Sequence, residues 1–186
     1  PYGKRQFRPI FAADCEAGLP VGLHFGGSGN PITACGWPSY YIEDHTAMSQ
    51  AFEAQLVSIV CEGVFCEFPE LRLALIEGGF AWLPGLMWRL DKNYRGLHSE
   101  VPWLKKLPSE YILEHCCATT QPMEEPKNPQ HLMQIIEMIG RDEFLLFATD
   151  YPHWDFDSPD RALPPVIAGD LRQKIVVDNA VAFYGF

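Results

Sequence analysis

Four short apolar runs punctuate this chain, and each is followed by residues whose apolar members recur at helical spacing. That alternation constrains the fold more than any other feature, because strand then helix, repeated, means a parallel sheet joined by right-handed crossovers. The first run is residues 21–25, followed by a long glycine- and proline-bearing loop over 26–44. A helix is predicted over 46–67, where Met48, Phe52, Leu56, Ile59, Val60 and Val64 share one face, and Pro69 closes it. The second run, 71–76, ends in Glu77-Gly78-Gly79 and leads into a helix over 82–97. After a polar connection over 98–110, the third strand is placed at 111–116 and its helix at 131–139. The fourth run is 144–149; a proline-rich loop, a short helix near 163–168 and an amphipathic segment over 171–184 complete the pattern.

Two architectures satisfy such a pattern: an open doubly wound sheet, or part of a (β/α)₈ barrel. A whole barrel takes about 250 residues and eight units. Only four units fit in these 186 residues, which read as one domain whose 47% hydrophobic content allows a substantial core. A formal net charge of −10, with basic residues scattered, excludes a protein that lives by gripping nucleic-acid phosphates. The six cysteines form no Cys-x-x-Cys pair and several lie in apolar runs, as reduced buried thiols do, so a cytoplasmic location is expected. Neither a signal peptide nor a membrane-length apolar segment is visible. The first residue is Pro1 rather than Met, which a processed chain or a piece of a longer polypeptide would explain.

In parallel α/β enzymes the chemistry sits at the carboxyl ends of the strands. His24 ends the first run, Glu77 the second and Asp150 the fourth. A carboxylate directly after Phe-Leu-Leu-Phe-Ala-Thr is costly to desolvate unless it is paired, hydrogen-bonded or bound to a metal. For Asp150 the plain alternative is capping the turn Tyr151-Pro152-His153. For Glu77, a raised pKa suited to acid–base work competes with an ion pair to Arg89 or Arg95. His24 reads equally as a structural histidine. His153 and Asp155 are candidates for contacting substrate or for supporting the ligands from behind, against the plain alternative of solvated turn residues; Trp154 is a substrate-binding candidate, and Gly26-Gly27 begins a substrate loop or lid that lacks the P-loop signature. His45, His98, His115 and His131 show no paired metal spacing and read as structural. Trp37, Tyr40, Tyr41, Trp82 and Trp154 are candidates for lining a planar-substrate pocket or for ordinary core.

Taken together, these residues resemble the amidohydrolase-related family of metal-dependent TIM-barrel enzymes, which includes hydrolases and nonoxidative decarboxylases of the aminocarboxymuconate semialdehyde decarboxylase type. Leu19-Pro20-Val21-Gly22-Leu23-His24 resembles that family's fifth strand, whose terminal histidine is a metal ligand. The segment from Phe68 to Gly79 is similar to the approach to strand six, where many members carry His-Gly-Gly with a catalytic histidine and this chain has Glu77. Thr149-Asp150-Tyr151-Pro152-His153 resembles strand eight, whose aspartate binds the metal and handles the proton of the attacking water. Asn179-Ala180 through Phe183-Tyr184-Gly185 resembles the family's terminal signature.

The resemblance implies the C-terminal half of a barrel, with the N-terminal half, and its first-strand His-x-His or Glu-x-His ligands, supplied from outside these residues or by another subunit. It implies one divalent ion, zinc with manganese as the alternative, held by His24 and Asp150, with Asp150 and Glu77 catalytic and His153, Trp154, Gly26 and Gly27 on the substrate. Two protein ligands are too few for a stable zinc site, which takes three and an open position. The leading expectation is a hydrolase acting on a small ester, lactone or amide through activated water. Nonoxidative decarboxylation of an aromatic or unsaturated carboxylic acid is the alternative, and a catalytically silent half-barrel whose role is assembly is the third. A half-barrel also has two open strand edges, so an oligomer or a partner half is expected, and no nucleic-acid or membrane partner.

Overall fold

A computed structural model describes residues 1–25 and 36–186. Its centre is a four-stranded parallel sheet in the order β1 (Val21–His24), β2 (Leu73–Ile76), β3 (Cys116–Thr119) and β4 (Leu145–Leu146). Spatial order follows chain order without the reversal that a doubly wound sheet requires, so the strands form an arc of a singly wound barrel. The fold is therefore the half-barrel that four units predict.

The helices follow from local signals. Helix α1 (Arg8–Ala17) starts at Pro9 and stops at Gly18, whose φ of 68° is a left-handed cap. The long helix expected over 46–67 is three pieces, α2 (Tyr41–Thr46), α3 (Met48–Cys61) and α4 (Val64–Glu67), broken at Ala47 and at Gly63 with φ 74°. Helix α5 (Leu83–Leu97) occupies the predicted span. Helix α7 (Pro129–Ile139) is capped by the Asn128 side chain, which accepts from the Gln130 N–H at 3.1 Å, and closes at Gly140.

The third unit corrects the sequence expectation. Residues 111–115 are not strand but the end of α6 (Pro108–His115), and β3 begins at Cys116. Pro108 opens that helix, Glu110 bonds back to the Leu107 N–H at 2.7 Å, and Tyr111, Ile112 and His115 bury one helical face. The short helix expected near 163–168 is turn and bend instead, and the C-terminal segment divides into α8 (Gly169–Gln173), a π-helical turn (Lys174–Asp178) and α9 (Asn179–Tyr184).

Alternation along the strands sorts side chains to two faces. Leu73, Leu75, Cys116, Ala118 and Leu145 join the large core beneath the helices. The concave face carries a smaller cluster, Ala74, Cys117 and Leu146, closed from α9 by Phe183 and Ala180. Arg72, just before β2, donates to the backbone oxygens of Phe183 and Gly18, so both ends of the chain are tied to the amino ends of the strands. The opposite rim, at the carboxyl ends, is left for polar residues. Among the described residues no helix is long and apolar enough to cross a membrane.

Candidate metal centre and active site

Glu77 and Asp150 directly follow β2 and the fourth apolar run, and both adopt left-handed backbone, φ 63° and 62°. For residues with a Cβ this costs about 1–3 kcal/mol and persists where surrounding structure enforces it, most often at functional sites. Thr119 at the end of β3 does the enforcing for Glu77: its hydroxyl accepts from the Glu77 N–H at 3.0 Å and donates to the Gln121 carbonyl at 3.1 Å. At Asp150 the turn closes through the His153 N–H, which donates to the Asp150 carbonyl at 2.9 Å.

Both carboxyls face one cavity of about 200 Å³ whose wall includes His24, Phe25, Tyr41, Asp44, His45 and His153. Glu77, Asp150 and His153 each bring a ligand atom to within 4.8 Å of the others. His24 joins through Glu77, its Nε2 lying 2.9 Å from Glu77 Oε1. The other ring nitrogen of His24, Nδ1, donates to the Phe25 carbonyl, which fixes the ring so that Nε2 is the atom turned toward Glu77 and the cavity. The ion pair predicted for Glu77 is therefore with His24, not Arg89 or Arg95; both arginines sit on exposed positions of α5.

Burial raises the Asp150 pKa, and a hydrogen bond to Glu77 together with the Glu77 charge raises it further, to about 6, against smaller opposing effects of His153 and Asp155. Two carboxyls this close do not ionise together without a counter-charge. A divalent cation would supply that charge, and two carboxylates with imidazole nitrogens form a donor set that suits manganese or zinc. The residues present fit such an ion.

The structure thus brings His24, Glu77, Asp150 and His153 together. Trp154 stands outside the cavity wall, 72% exposed, against the outer sides of Tyr41 and His45, with its Nε1–H donating to the Tyr41 hydroxyl at 3.3 Å. Gly26 and Gly27 lie outside the described residues. His45, read from sequence as structural, is on the cavity wall, and Tyr41 and Asp44 join it there. Their signal was position, a polar cluster in the connection after a strand's carboxyl end, rather than any ligand spacing.

The amidohydrolase family model matches residues 1–186. The chain belongs to the amidohydrolase family. A comparison with curated proteins found no significant match. Among solved structures this amidohydrolase is similar to an amidohydrolase from Mycobacterium avium subsp. paratuberculosis K-10, with a TM-score of 0.80 and 26% identity over 100% of this chain and 46% of that one. It is similar to 2,6-dihydroxybenzoate decarboxylase from Rhizobium, with a TM-score of 0.71 and 25% identity over 99% of this chain and 56% of the other. A third neighbour is dihydroxybenzoic acid decarboxylase from Polaromonas sp. JS666 with bound manganese and 2-nitroresorcinol, which shares the fold at a TM-score of 0.72 and 23% identity over 99% of this chain and 55% of that one. The chain spans about half the length of the solved structures it matches.

Proposed function

We propose that this amidohydrolase chain carries half of a metal-dependent site that decarboxylates a small aromatic carboxylic acid without redox chemistry. The observation that carries the proposal is the convergence of Glu77, Asp150 and His153, with His24 beside them, on one small cavity with aromatic walls. A volume of about 200 Å³ is below the roughly 300–1,000 Å³ of drug-sized sites and admits a single substituted ring. Decarboxylases among the structural neighbours favour the same chemistry.

His24, Glu77, Asp150 and His153 would hold a divalent ion, manganese or zinc, with further ligands from the other half of the barrel. When bound, the ion supplies Lewis acidity toward substrate oxygens. With its pKa raised to about 6, Asp150 keeps a minority protonated form at pH 7 and a larger one below it, in a partly desolvated site, and that form is the proton donor to carbon. Its O–H proton moves to the ring carbon bearing the carboxylate; the bond from that carbon to the carboxylate then breaks, its electron pair restores the aromatic ring, and carbon dioxide leaves. Tyr41 and Phe25 form the apolar wall against which the ring is oriented.

A second reading is hydrolysis of a small ester, lactone or amide. It is favoured by one observation: Asp150, with its pKa raised to about 6, is mostly ionised at pH 7 and poised to take a proton from water. To separate the two, the polypeptide as it occurs in the cell, with any co-purifying partner, is loaded with manganese or zinc and given 2,6-dihydroxybenzoate and 5-carboxyvanillate. Carbon dioxide release that Asp150→Asn abolishes is the expected result. Ester or lactone cleavage without carbon dioxide selects the second reading, and metal binding with neither activity points to an assembly role.

A further inference from the structure

Helix α2 lies in the connection after β1, far in sequence from the loop that follows β4, yet the two meet over the site through one ion pair. His45 Nε2 is 3.2 Å from Asp155 Oδ2, with side chains 24% and 15% exposed. The His45 ring packs against Tyr41 and Trp154, with centroid separations of 5.4 and 5.5 Å, and those two rings also touch each other, so the three form one aromatic cluster. Asp155 is held through its backbone. Gln121, 4% exposed, donates through Nε2 to the Asp155 carbonyl at 3.1 Å and to Asp157 Oδ2 at 2.9 Å, and the Asp157 N–H donates to the Thr149 carbonyl at 3.0 Å.

Asp155 lies on the loop that the His153 N–H closes onto the Asp150 carbonyl at 2.9 Å, and its Oδ1 is buried without a hydrogen-bond partner among the described residues. The His45–Asp155 pair therefore pins from α2 the same loop that carries Asp150 and His153, a loop otherwise closed by the His153–Asp150 and Asp157–Thr149 backbone bonds. Without His45, the Asp155 carboxyl would be a largely buried group with no side-chain partner among the described residues, since Gln121 bonds the Asp155 backbone carbonyl and Asp157 instead. A buried carboxyl left unpaired moves toward water, and the loop that orients Asp150 and His153 would move with it.

We propose that His45 is a positioning residue, which by pairing with Asp155 holds Asp150 in the geometry that a divalent cation requires. The proposal rests on the metal-site reading above and extends it to a residue that touches none of the cluster's ligand atoms directly. Partners that orient metal ligands typically change metal affinity by about 10- to 100-fold when removed. Substitution by glutamine keeps an N–H donor near the position of Nε2; substitution by phenylalanine keeps the ring packing against Tyr41 and Trp154 but removes the donor.

The test is titration of the full chain with manganese alone, followed by calorimetry or by the signal of free Mn²⁺ in electron paramagnetic resonance. His45→Phe and Asp155→Asn are expected to weaken manganese binding about 10-fold or more, and His45→Gln to restore it to within about threefold of the original. Equal affinities for His45→Phe and the original chain, or no rescue by glutamine, overturn the proposal. Amide hydrogen exchange at 153–157 provides a readout without metal: His45→Phe should speed exchange of the His153 and Asp157 amides about 10-fold, and His45→Gln should not. If the original polypeptide as it occurs in the cell, with any co-purifying partner, binds no manganese, the metal-site reading fails on its own, and unchanged exchange in His45→Phe then shows that His45 does not position this loop either.

Discussion

Replacing Asn179 by alanine is the sharpest test of how the C-terminal segment holds the half-barrel together. Asn179 is 3% exposed, and its amide Nδ2 donates to the carbonyls of Asp142 at 2.9 Å and Leu145 at 2.8 Å. The Leu145 carbonyl belongs to β4 and points away from β3, whose ladder uses the carbonyls of Phe144 and Leu146 instead. Two neutral hydrogen bonds are worth about 2 kcal/mol net, and leaving buried carbonyls without a donor adds about 1 kcal/mol or more. A loss of about 2–4 kcal/mol follows, or roughly 5–15 °C in Tm for a chain of this size. Urea unfolding followed by circular dichroism measures it, with Asn179→Asp as the diagnostic companion. An ionised carboxylate facing two carbonyl oxygens is worse than a methyl group, so aspartate should be the less stable variant at pH 7, and should recover at low pH where its O–H can donate. An alanine cost below about 1 kcal/mol, or identical behaviour of the two variants at pH 7, would falsify the argument.

Three further outcomes follow from the same kind of reasoning. His115 is buried, stacks on Phe65 at 4.4 Å and donates through Nδ1 to the Leu71 carbonyl at 2.8 Å; burial lowers its pKa below the ordinary 6.5. The unfolded chain then binds the extra proton first, so the stability His115 contributes is complete above pH 6.5 and is lost as pH falls toward the folded-state value. Urea midpoints at pH 7.5 and 5.5 should therefore differ less in His115→Phe than in the original chain, and an equal difference refutes the assignment. Asp91 on α5 caps α6, accepting from the Ser109 N–H at 2.9 Å and hydroxyl at 2.7 Å. Asp91→Ala should cost about 1–2 kcal/mol in thermal or urea unfolding and Ser109→Ala clearly less, because only the first strips both bonds. Gly63 has φ 74°, and a Cβ there would lie 2.5 Å from Trp103 Cδ1, whose indole N–H donates to the Cys61 carbonyl at 2.8 Å. Gly63→Ala combines a left-handed alanine with a displaced indole and should cost about 2–3 kcal/mol by urea unfolding; a neutral substitution contradicts the packing.

The parts of this molecule legible in its sequence are those where burial forces a simple pattern. β2 and β3 are covered on both faces and read as unbroken apolar runs, although the third was placed five residues early. That slip has a physical cause: Tyr111, Ile112 and Leu113 look like a strand, but Pro108 and Glu110 make them the first turns of a helix, and the strand proper is the less apolar Cys-Cys-Ala-Thr. His24, Glu77 and Asp150 were legible because a polar group at the end of a buried strand must be compensated, and here they compensate each other. His45 was not, since a single histidine in a long connection carries no periodicity, and only the fold brings it to Asp155, 110 residues away in the chain. The Glu77–arginine pairing failed for a topological reason. Arg89 and Arg95 ride the exposed side of α5, outside the arc, whereas Glu77 turns over its carboxyl rim.

The two edges of the sheet are not equivalent, and that asymmetry bears on how a half-barrel persists. At β4 the chain covers its own edge: the Phe147 N–H donates to the Ile175 carbonyl, and Asn179 satisfies Leu145. Polar backbone that would otherwise face an incoming strand is used up by the C-terminal helix, a common way of blunting an edge. At β1 the described residues pair only with β2, and Gly22 and His24 are exposed on the concave side. Among the described residues, the unpaired strand backbone is thus concentrated at β1. That edge ends at His24, whose Nε2 stands beside Glu77 on the cavity side. A substitution that distorts β1, such as Leu23→Pro, is therefore expected to displace His24, the last residue of that strand, and to lower manganese affinity in a Mn²⁺ titration even though it removes no ligand; an unchanged affinity would contradict the coupling.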